Sequence, residues 1–179
     1  MLTVGDKLKP FAMTGVKPGQ PDDAFFDINE TSFAGKWKVI VYYPKDFTFV
    51  CPTEIVAYDK LAKDFEDRDA VLLTGSTDNE FCKIAWQKAH NDLQKINHFQ
   101  FADTQRGELS LINQLGVFYT PAGAALRATF VVDPDNVIQH VTVNNLNVGR
   151  SPEETLRVLD ACQTGELCPC NRAVGGATL

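Results

Sequence analysis

The sequence has a small share of positive charge, no basic cluster and no long hydrophobic run. Of its 179 residues, 17 are lysine or arginine and 23 are aspartate or glutamate, so the formal net charge is −6. Nucleic acids and anionic membranes are bound by a concentrated basic face, and the scattered lysines and arginines do not provide one. We therefore expect neither a nucleic-acid partner nor a membrane partner.

Targeting segments and linkers are also missing from the sequence. The N-terminal stretch MLTVGDKLKPF lacks the apolar core of a signal peptide, and no segment approaches the roughly 20 apolar residues of a membrane span. No stretch rich in serine, glycine or charge divides the chain, and its hydrophobic content of 44% is sufficient for one well-buried core. We expect a cytoplasmic protein with a single globular domain.

Metal-binding patterns are absent as well, although the chain has five cysteines. The three histidines are isolated and the cysteines form no pair of C-x-x-C motifs, so the sequence gives zinc little support. An odd number leaves at least one cysteine outside any intramolecular bridge, and in a reducing compartment such a cysteine tends to be catalytic or redox-active. The five are Cys51, Cys82, Cys162, Cys168 and Cys170.

The order of predicted elements in the first half indicates an α/β fold. A buried strand, KVIVYY, is followed by a helix predicted to begin at Cys51, and a second buried strand, AVLLTGST, is followed by a helix that Asp78 would cap. Strands separated by helices imply a parallel sheet. The predicted apolar side of the second helix consists of Phe81, Ala85 and Trp86.

The second half completes a thioredoxin topology. After a short segment near FQFAD and a helical turn ending at Gly116, the turn sequence DPDN joins two strands as an antiparallel hairpin. The last helix is predicted from an N-cap at Ser151, a proline at the next position, a capping box with Glu154 and a stop at Gly165. The order β-α-β-α and then β-β-α predicts a thioredoxin fold with an N-terminal extension and an inserted segment. We expect a domain over residues 1–163 and a mobile tail over residues 164–179.

The segment YYPKDFTFVCPTEI places Cys51 at the start of a helix. There the unpaired backbone N–H groups and the positive end of the helix dipole favour thiolate over thiol. By itself this position fits a buried small hydrophobe as well as a nucleophile. A disulfide oxidoreductase would normally show C-x-x-C here, but Thr48 lies three residues before Cys51.

The pattern Pro44-x-x-x-Thr48-x-x-Cys51 resembles the active-site signature of the peroxiredoxins, in their two-cysteine, alkyl hydroperoxide reductase C-type branch. The resemblance covers almost the whole chain and implies a thiol-dependent peroxidase that acts on hydrogen peroxide and small organic hydroperoxides. It implies no cofactor, since the sulfur performs the chemistry. The other matching segments, in order, are GKWKVIVYYP, STDNEFCKIAWQ, RATFVVDP, NVGRSPEETLRVLDA and GELCP.

The resemblance also implies roles for individual residues. Cys51 would attack the peroxide, Thr48 would hydrogen-bond to the thiolate and to the peroxide, and Pro44 would shield the sulfenic acid from water. Arg127 would supply a cation, and Glu54 would orient that arginine. On local evidence alone Arg127 could be a surface charge, but it begins a strongly apolar strand, where an unpaired guanidinium is costly.

The C-terminal thiols are the expected resolving groups. Cys168 matches the family's resolving cysteine, which comes from the partner subunit, so the resemblance implies a homodimer and allows a ring of five dimers. Cys170 resembles an extra cysteine of some bacterial relatives, and we expect it to share the resolving role or to relay the disulfide. The external reductant would be thioredoxin, a flavoprotein disulfide reductase or a small disulfide reductase. A chaperone role that does not need Cys51 remains an alternative to the peroxidase. Cys82 and Cys162 are interpreted as packing residues.

Overall fold

A computed structural model describes residues 1–19 and 21–179. In these residues the strands are β1 (Met13–Val16), β2 (Phe25–Ile28), β3 (Trp37–Tyr42), β4 (Ala70–Ser76), β5 (Phe99–Ala102), β6 (Phe118–Tyr119), β7 (Ala124–Ala125), β8 (Arg127–Val132) and β9 (Ile138–Asn144). The helices are α1 (Val50–Lys60), α2 (Ala62–Glu66), α3 (Glu80–Ala89), α4 (Leu111–Leu115) and α5 (Pro152–Thr164). Of the helices in this described part, none has the length and apolar character needed to cross a bilayer.

Seven strands form one mixed sheet in the order β2-β1-β5-β4-β3-β8-β9. The strand β4 pairs in parallel with both β3 and β5, whereas β8 is antiparallel to both β3 and β9. The predicted parallel sheet and the predicted hairpin around DPDN are therefore confirmed. The N-terminal extension forms the antiparallel pair β1 and β2, which joins the sheet through β5.

The central strand β3 separates two layers of the core because its side chains alternate between the faces of the sheet. Ile40 and Tyr42 face the cluster that includes α4 and the N-terminal segment. Val39 and Val41 face the opposite cluster, where α1, α2 and α5 pack. Both faces of β3 are thus covered, which explains its nearly continuous apolar sequence. The loop after β3 emerges between these layers and leads to Cys51.

Most predicted helix ends agree with the structure. The helix α4 ends at Gly116 with a φ of +69°, and α5 ends at Gly165 with a φ of +66°, a backbone conformation that glycine adopts without strain. The Ser151 hydroxyl caps α5 by accepting the Glu154 N–H at 3.2 Å. The expected capping box is incomplete, because the Glu154 carboxylate binds Arg157 instead.

The helix α3 departs from its prediction in its cap and in its buried face. Asn79, not Asp78, caps it, since the Asn79 side chain accepts the Cys82 N–H at 2.9 Å. Trp86 is buried as expected, but Phe81 is 65% exposed and packs edge-on against Phe25 of β2. The buried residues of this helix are Lys83, Trp86 and Gln87.

Beyond Thr164, the last residue of α5, the described residues of the C-terminal tail form no helix or strand, and the tail folds back along α5. Arg172 donates a hydrogen bond to Asp160 at 2.7 Å, and Arg157 donates one to the Arg172 carbonyl at 3.2 Å. The other oxygen of Asp160 accepts from Arg68, and Gly175 of the tail also donates to Asp160. Asp160 is therefore the main attachment point of the tail on α5.

Candidate active site

Cys51 lies at the C-terminal edge of the central strand, in the first turn of α1. The helix begins at Val50, one residue before the predicted start, and no side chain caps it. Its first N–H groups therefore remain available to a sulfur or an anion. The Cys51 side chain is 1% exposed and packs in an apolar cluster that includes Tyr43, Ile55 and Trp86. The thiol is thus shielded from bulk water beside an N-terminal helix end.

Arg127 supplies a positive charge at this sulfur. It is the first residue of β8, which pairs with the central strand β3, and its side chain is buried. The Nη1 atom donates to Cys51 Sγ at 3.5 Å, and the Nε atom donates to the Leu146 carbonyl at 2.6 Å. A guanidinium keeps its charge at all relevant pH values, so a cation is fixed next to the thiol.

Glu54 joins the two arginines of the site, and through Arg127 it is linked to the Cys51 sulfur. It follows Cys51 by three residues on α1, so both side chains lie on one face of the helix. Its Oε2 accepts from Arg127 Nη1 at 2.7 Å and from Arg150 Nη2 at 3.0 Å, and its Oε1 accepts from Arg150 Nε at 2.9 Å. Burial acts to raise the pKa of Glu54, but hydrogen bonds and charges of Arg150 and the charge of Arg127 outweigh it and lower the pKa below its ordinary value.

Arg150 is the site residue that sequence analysis did not assign. It binds both Glu54 oxygens, and its Nη1 also donates to the Ala128 carbonyl at 2.8 Å, which ties the loop after β9 to β8. Its only signal in the sequence is its place in the matching segment NVGRSPEE. Glu54 and Arg150 are 96 positions apart, so no local pattern relates them.

Pro44 and Thr48 belong to the loop that precedes Cys51. Pro44 is buried two residues after the end of β3. The hydrogen bond expected from Thr48 to the Cys51 sulfur is not formed in this structure. The Thr48 hydroxyl donates instead to the Lys45 carbonyl at 2.9 Å, because this backbone acceptor of the same turn lies within its reach.

Comparison with known proteins identifies the family. A family model described as "AhpC/TSA family" matches residues 4–141. The chain belongs to the AhpC/TSA family. Over 187 aligned positions it is 45% identical to "Alkyl hydroperoxide reductase C" of Mycolicibacterium smegmatis, covering 100% of this chain and 94% of that protein. The peroxiredoxin resemblance is therefore confirmed, and the expected thiol-dependent peroxidase agrees with it.

Solved structures of this family have the same fold. The structure titled "Mycobacterium tuberculosis AhpC" is 45% identical and superposes with a TM-score of 0.84, over 96% of this chain and 98% of that chain. A reduced two-cysteine peroxiredoxin of Plasmodium vivax is 35% identical and gives a TM-score of 0.88, over 99% of this chain and 93% of that chain. These likenesses confirm the thioredoxin-like α/β fold expected from the sequence.

In this AhpC/TSA-family chain, both C-terminal thiols belong to the tail after α5, and Cys168 packs against the end of that helix. Cys168 Sγ is 3.4 Å from Thr164 Oγ1 and 3.7 Å from the Ala161 carbonyl, and Cys170 is exposed. Cys82 and Cys162 are partly buried, and burial raises the pKa of each thiol. In residues 1–19 and 21–179, no group of three or more His, Cys, Asp or Glu side chains is arranged to hold a metal ion.

Proposed function

We propose that this chain reduces hydrogen peroxide and small organic hydroperoxides with Cys51 as the nucleophile. The observation that carries the proposal is the buried Cys51 at the start of α1 with Arg127 Nη1 at 3.5 Å from its sulfur. The relatives named alkyl hydroperoxide reductase and peroxiredoxin agree with this chemistry. A cation and free helix N–H groups beside a thiol suit a reaction in which negative charge moves from sulfur to oxygen.

In the first step, the Cys51 thiolate attacks the terminal peroxide oxygen. The S–O bond forms as the O–O bond breaks, and the departing oxygen takes a proton to leave as water or alcohol. Arg127 and the N–H groups of α1 stabilise the charge on that departing oxygen. Glu54 and Arg150 hold Arg127 in place through the hydrogen bonds that converge on the Glu54 carboxylate. The product is a sulfenic acid on Cys51.

Pro44 and Thr48 act on the substrate side of the site in this proposal. The buried Pro44 keeps water from the Cys51 sulfenic acid. Thr48 exchanges its hydrogen bond to the Lys45 carbonyl for one to the bound peroxide. Such an exchange costs little, because one neutral hydrogen bond replaces another.

In the second step, the thiol of Cys168 from the partner subunit condenses with the Cys51 sulfenic acid. A disulfide forms and water leaves, which protects Cys51 from further oxidation. Since Cys168 lies on α5 and Cys51 is buried, the tail must detach and the first turn of α1 must unwind. We assign residues 1–163 to the peroxidase domain and residues 164–179 to this moving tail. The functional unit is at least a homodimer, which can assemble as a ring of five dimers.

The cycle closes by thiol exchange with an external dithiol protein, which reduces the disulfide and restores both thiols. Cys170 is exposed and lies two residues beyond Cys168, so it is the accessible thiol for relaying the disulfide. Thioredoxin, a flavoprotein disulfide reductase or a small disulfide reductase has the required chemistry. Such reductants operate in a reducing compartment, and we propose a cytoplasmic location.

A turnover assay tests this function. Peroxide consumption is measured with dithiothreitol as reductant for the native protein, for Cys51→Ser and for the matched control Cys162→Ser, which alters a partly buried thiol of α5. We expect Cys51→Ser to abolish consumption and Cys162→Ser to leave it within about twofold of native, since substitutions away from the reacting groups usually have small effects. Equal consumption by the native protein and Cys51→Ser would refute the peroxidase assignment.

A further inference from the structure

The helix α3 buries a lysine that the mechanism above does not use. Lys83 is 0% exposed, and its Nζ donates to both carboxylate oxygens of Asp46, at 3.1 and 3.2 Å, and to Ser76 Oγ at 2.8 Å. Lysine is almost never fully buried unless it is paired, because removing its charge from water is costly. The burial of Lys83 is therefore compensated by this pair with Asp46.

Asp46 belongs to the loop that carries the active site. It lies two residues after Pro44 and two before Thr48. Its backbone N–H donates to the Asp78 carboxylate at 2.7 Å, and its side chain accepts from Ser76 Oγ at 3.1 Å. One loop residue is thus fixed by both its main chain and its side chain to the end of β4 and the segment before α3.

One further neighbour of Lys83 packs in the same cluster as Cys51. Lys83 Nζ is 3.3 Å from Tyr43 Oη and 5.2 Å from the centroid of the Tyr43 ring. Tyr43 packs in the same apolar cluster as Cys51. On the outer side of the loop, the Phe47 ring lies 5.8 Å from the Trp86 ring. The ion pair therefore lies beneath the loop that leads to the thiol.

We propose that the Lys83–Asp46 ion pair positions the active-site loop and sets the balance between the two steps of the cycle. The peroxide step needs the loop and the first turn of α1 folded, with Cys51 against Arg127. The disulfide step needs that first turn to unwind. By holding residues 44–49 on the scaffold, the pair favours the folded arrangement. This inference rests on the proposed function, because both steps belong to it.

Breaking the pair has opposite effects on the two steps. In Lys83→Met the Asp46 carboxylate loses its buried partner and moves toward water, which loosens the loop. We expect the oxidation of Cys51 by peroxide to slow about tenfold or more, because displacement of a reacting group by an ångström has effects of this size. Disulfide formation should become faster, because the loop no longer opposes unwinding of α1.

The experiment measures both steps in one reaction. Reduced protein is mixed with peroxide in a rapid-quench instrument, and the sulfenic acid and the disulfide are quantified by alkylation and mass spectrometry. Lys83→Met is compared with Lys63→Met, a matched control that removes an exposed lysine of α2 paired with Glu66 and Asp67. The expected result is slower oxidation and faster disulfide formation in Lys83→Met alone. Native values for both rate constants in Lys83→Met would overturn the inference.

A double variant separates loop positioning from simple stability. Lys83→Met combined with Asp46→Asn leaves no buried charge unpaired, so its stability to urea should recover relative to Lys83→Met. The ratio of the rate constant for Cys51 oxidation to the rate constant for disulfide formation should remain below its native value, because the ion pair is still missing. A ratio that returns to native as stability recovers would show that the pair serves stability only, which overturns the inference.

Hydrogen exchange tests the role of the ion pair even if the proposed function is wrong. If native protein forms no sulfenic acid, the peroxidase assignment is wrong. The exchange rates of the backbone amides of residues 45–51 then show whether the Lys83–Asp46 pair holds the loop. Faster exchange there in Lys83→Met than in Lys63→Met supports that role. Equal exchange in the two variants contradicts it.

Discussion

Cys51 and Cys168 lie in surroundings that differ in burial, charge and strength of contact. Cys51 is enclosed, with the Arg127 guanidinium at 3.5 Å, and Arg127 is held in turn by Glu54. Cys168 is partly exposed, and its sulfur touches a hydroxyl and a carbonyl of α5 at 3.4 and 3.7 Å. In the proposed cycle, attack on peroxide by Cys51 requires charges already in place, whereas Cys168 as the resolving thiol requires contacts that release easily.

The tail that carries Cys168 is itself attached to α5 by contacts that can be released. Asp160 accepts from Arg172 and from the Gly175 N–H of the tail, and also from Arg68 of the domain. The Nε atom of Arg172 is buried and has no hydrogen-bond partner among the described residues. An unsatisfied buried donor reduces the net stability of this attachment. The tail is therefore ordered on α5 by a small number of contacts that can be undone.

The largest expected effect follows from removing the charge beside Cys51. Arg127→Met deletes the guanidinium that contacts the sulfur, and we expect oxidation of Cys51 by peroxide to slow by about 100-fold or more, as for other lost oxyanion donors. Arg106→Met, which changes an exposed arginine bound only to nearby carbonyls and stacked on Phe118, serves as the control. Stopped-flow measurement of the oxidation rate checks this. Similar rates for both variants would show that the charge near Cys51 is not used.

A smaller effect is expected from Glu54→Gln, which keeps the shape of the side chain and removes its charge. Arg127 and Arg150 then lack their shared anion, so Arg127 is held less firmly at the sulfur. We expect oxidation to slow about tenfold, the size associated with one charge-assisted hydrogen bond. The native rate in this variant, measured in the same way, would mean that Glu54 does not position Arg127.

The lowered pKa of Glu54 determines how this residue's contribution to the free energy of unfolding depends on pH. In the folded chain the pKa lies below the ordinary value of 4.5. The stabilising contribution is therefore fully present above about pH 4.5 and is lost as pH falls through the lower folded pKa. Glu54→Gln should therefore lose less stability than the native protein between neutral and acidic pH. Urea unfolding at a series of pH values measures this, and parallel curves for the two proteins would contradict it.

On the tail, Cys170→Ser should affect only regeneration. We expect native rates for Cys51 oxidation and disulfide formation, with reduction by an external dithiol protein slowed severalfold, because the exposed relay thiol is missing. Turnover with thioredoxin and with a small disulfide reductase measures the effect. If turnover equals that of native protein with every reductant tried, Cys170 has no relay role.

The smallest expected effect follows from Asp160→Asn, which weakens the attachment of the tail. An amide keeps one hydrogen bond but loses the charge pairing with Arg172 and Arg68, a change of about 1 kcal/mol for partly exposed ion pairs. Hydrogen exchange in residues 166–179 should accelerate, while Cys51 oxidation stays native. Unchanged exchange would show that other contacts hold the tail.

Patterns that depend on neighbouring residues were predictable from the sequence. The cap and proline of α5, the turn DPDN and the alternation of strands and helices led directly to the observed fold, because short-range hydrogen bonding decides them. The position of Cys51 at a helix start was also predicted to within one residue. Glu54 and Arg127 were expected from the family resemblance, and the structure places both beside Cys51.

Features that depend on contacts between distant segments were not predictable. Arg150 joins Glu54 across 96 positions, and nothing in its local sequence marks it. In α3, hydrophobicity suggested that Phe81 faces the core, whereas the helix buries Lys83, whose partner Asp46 lies 37 positions earlier. Asp78, the predicted cap of α3, binds the Asp46 backbone N–H instead. Burial of charge is decided by the availability of a partner, which a local pattern does not reveal.

The proposed peroxidase cycle requires Cys51 to react first and a tail thiol to react second. Reduced protein is mixed in stopped flow with substoichiometric hydrogen peroxide, and the products are resolved by non-reducing electrophoresis and peptide mass mapping, for the native sequence and for Cys51→Ser. We predict rapid oxidation that ends in an intersubunit disulfide between Cys51 and Cys168 or Cys170, which the variant does not form. Oxidation no faster than that of an ordinary free thiol would contradict it.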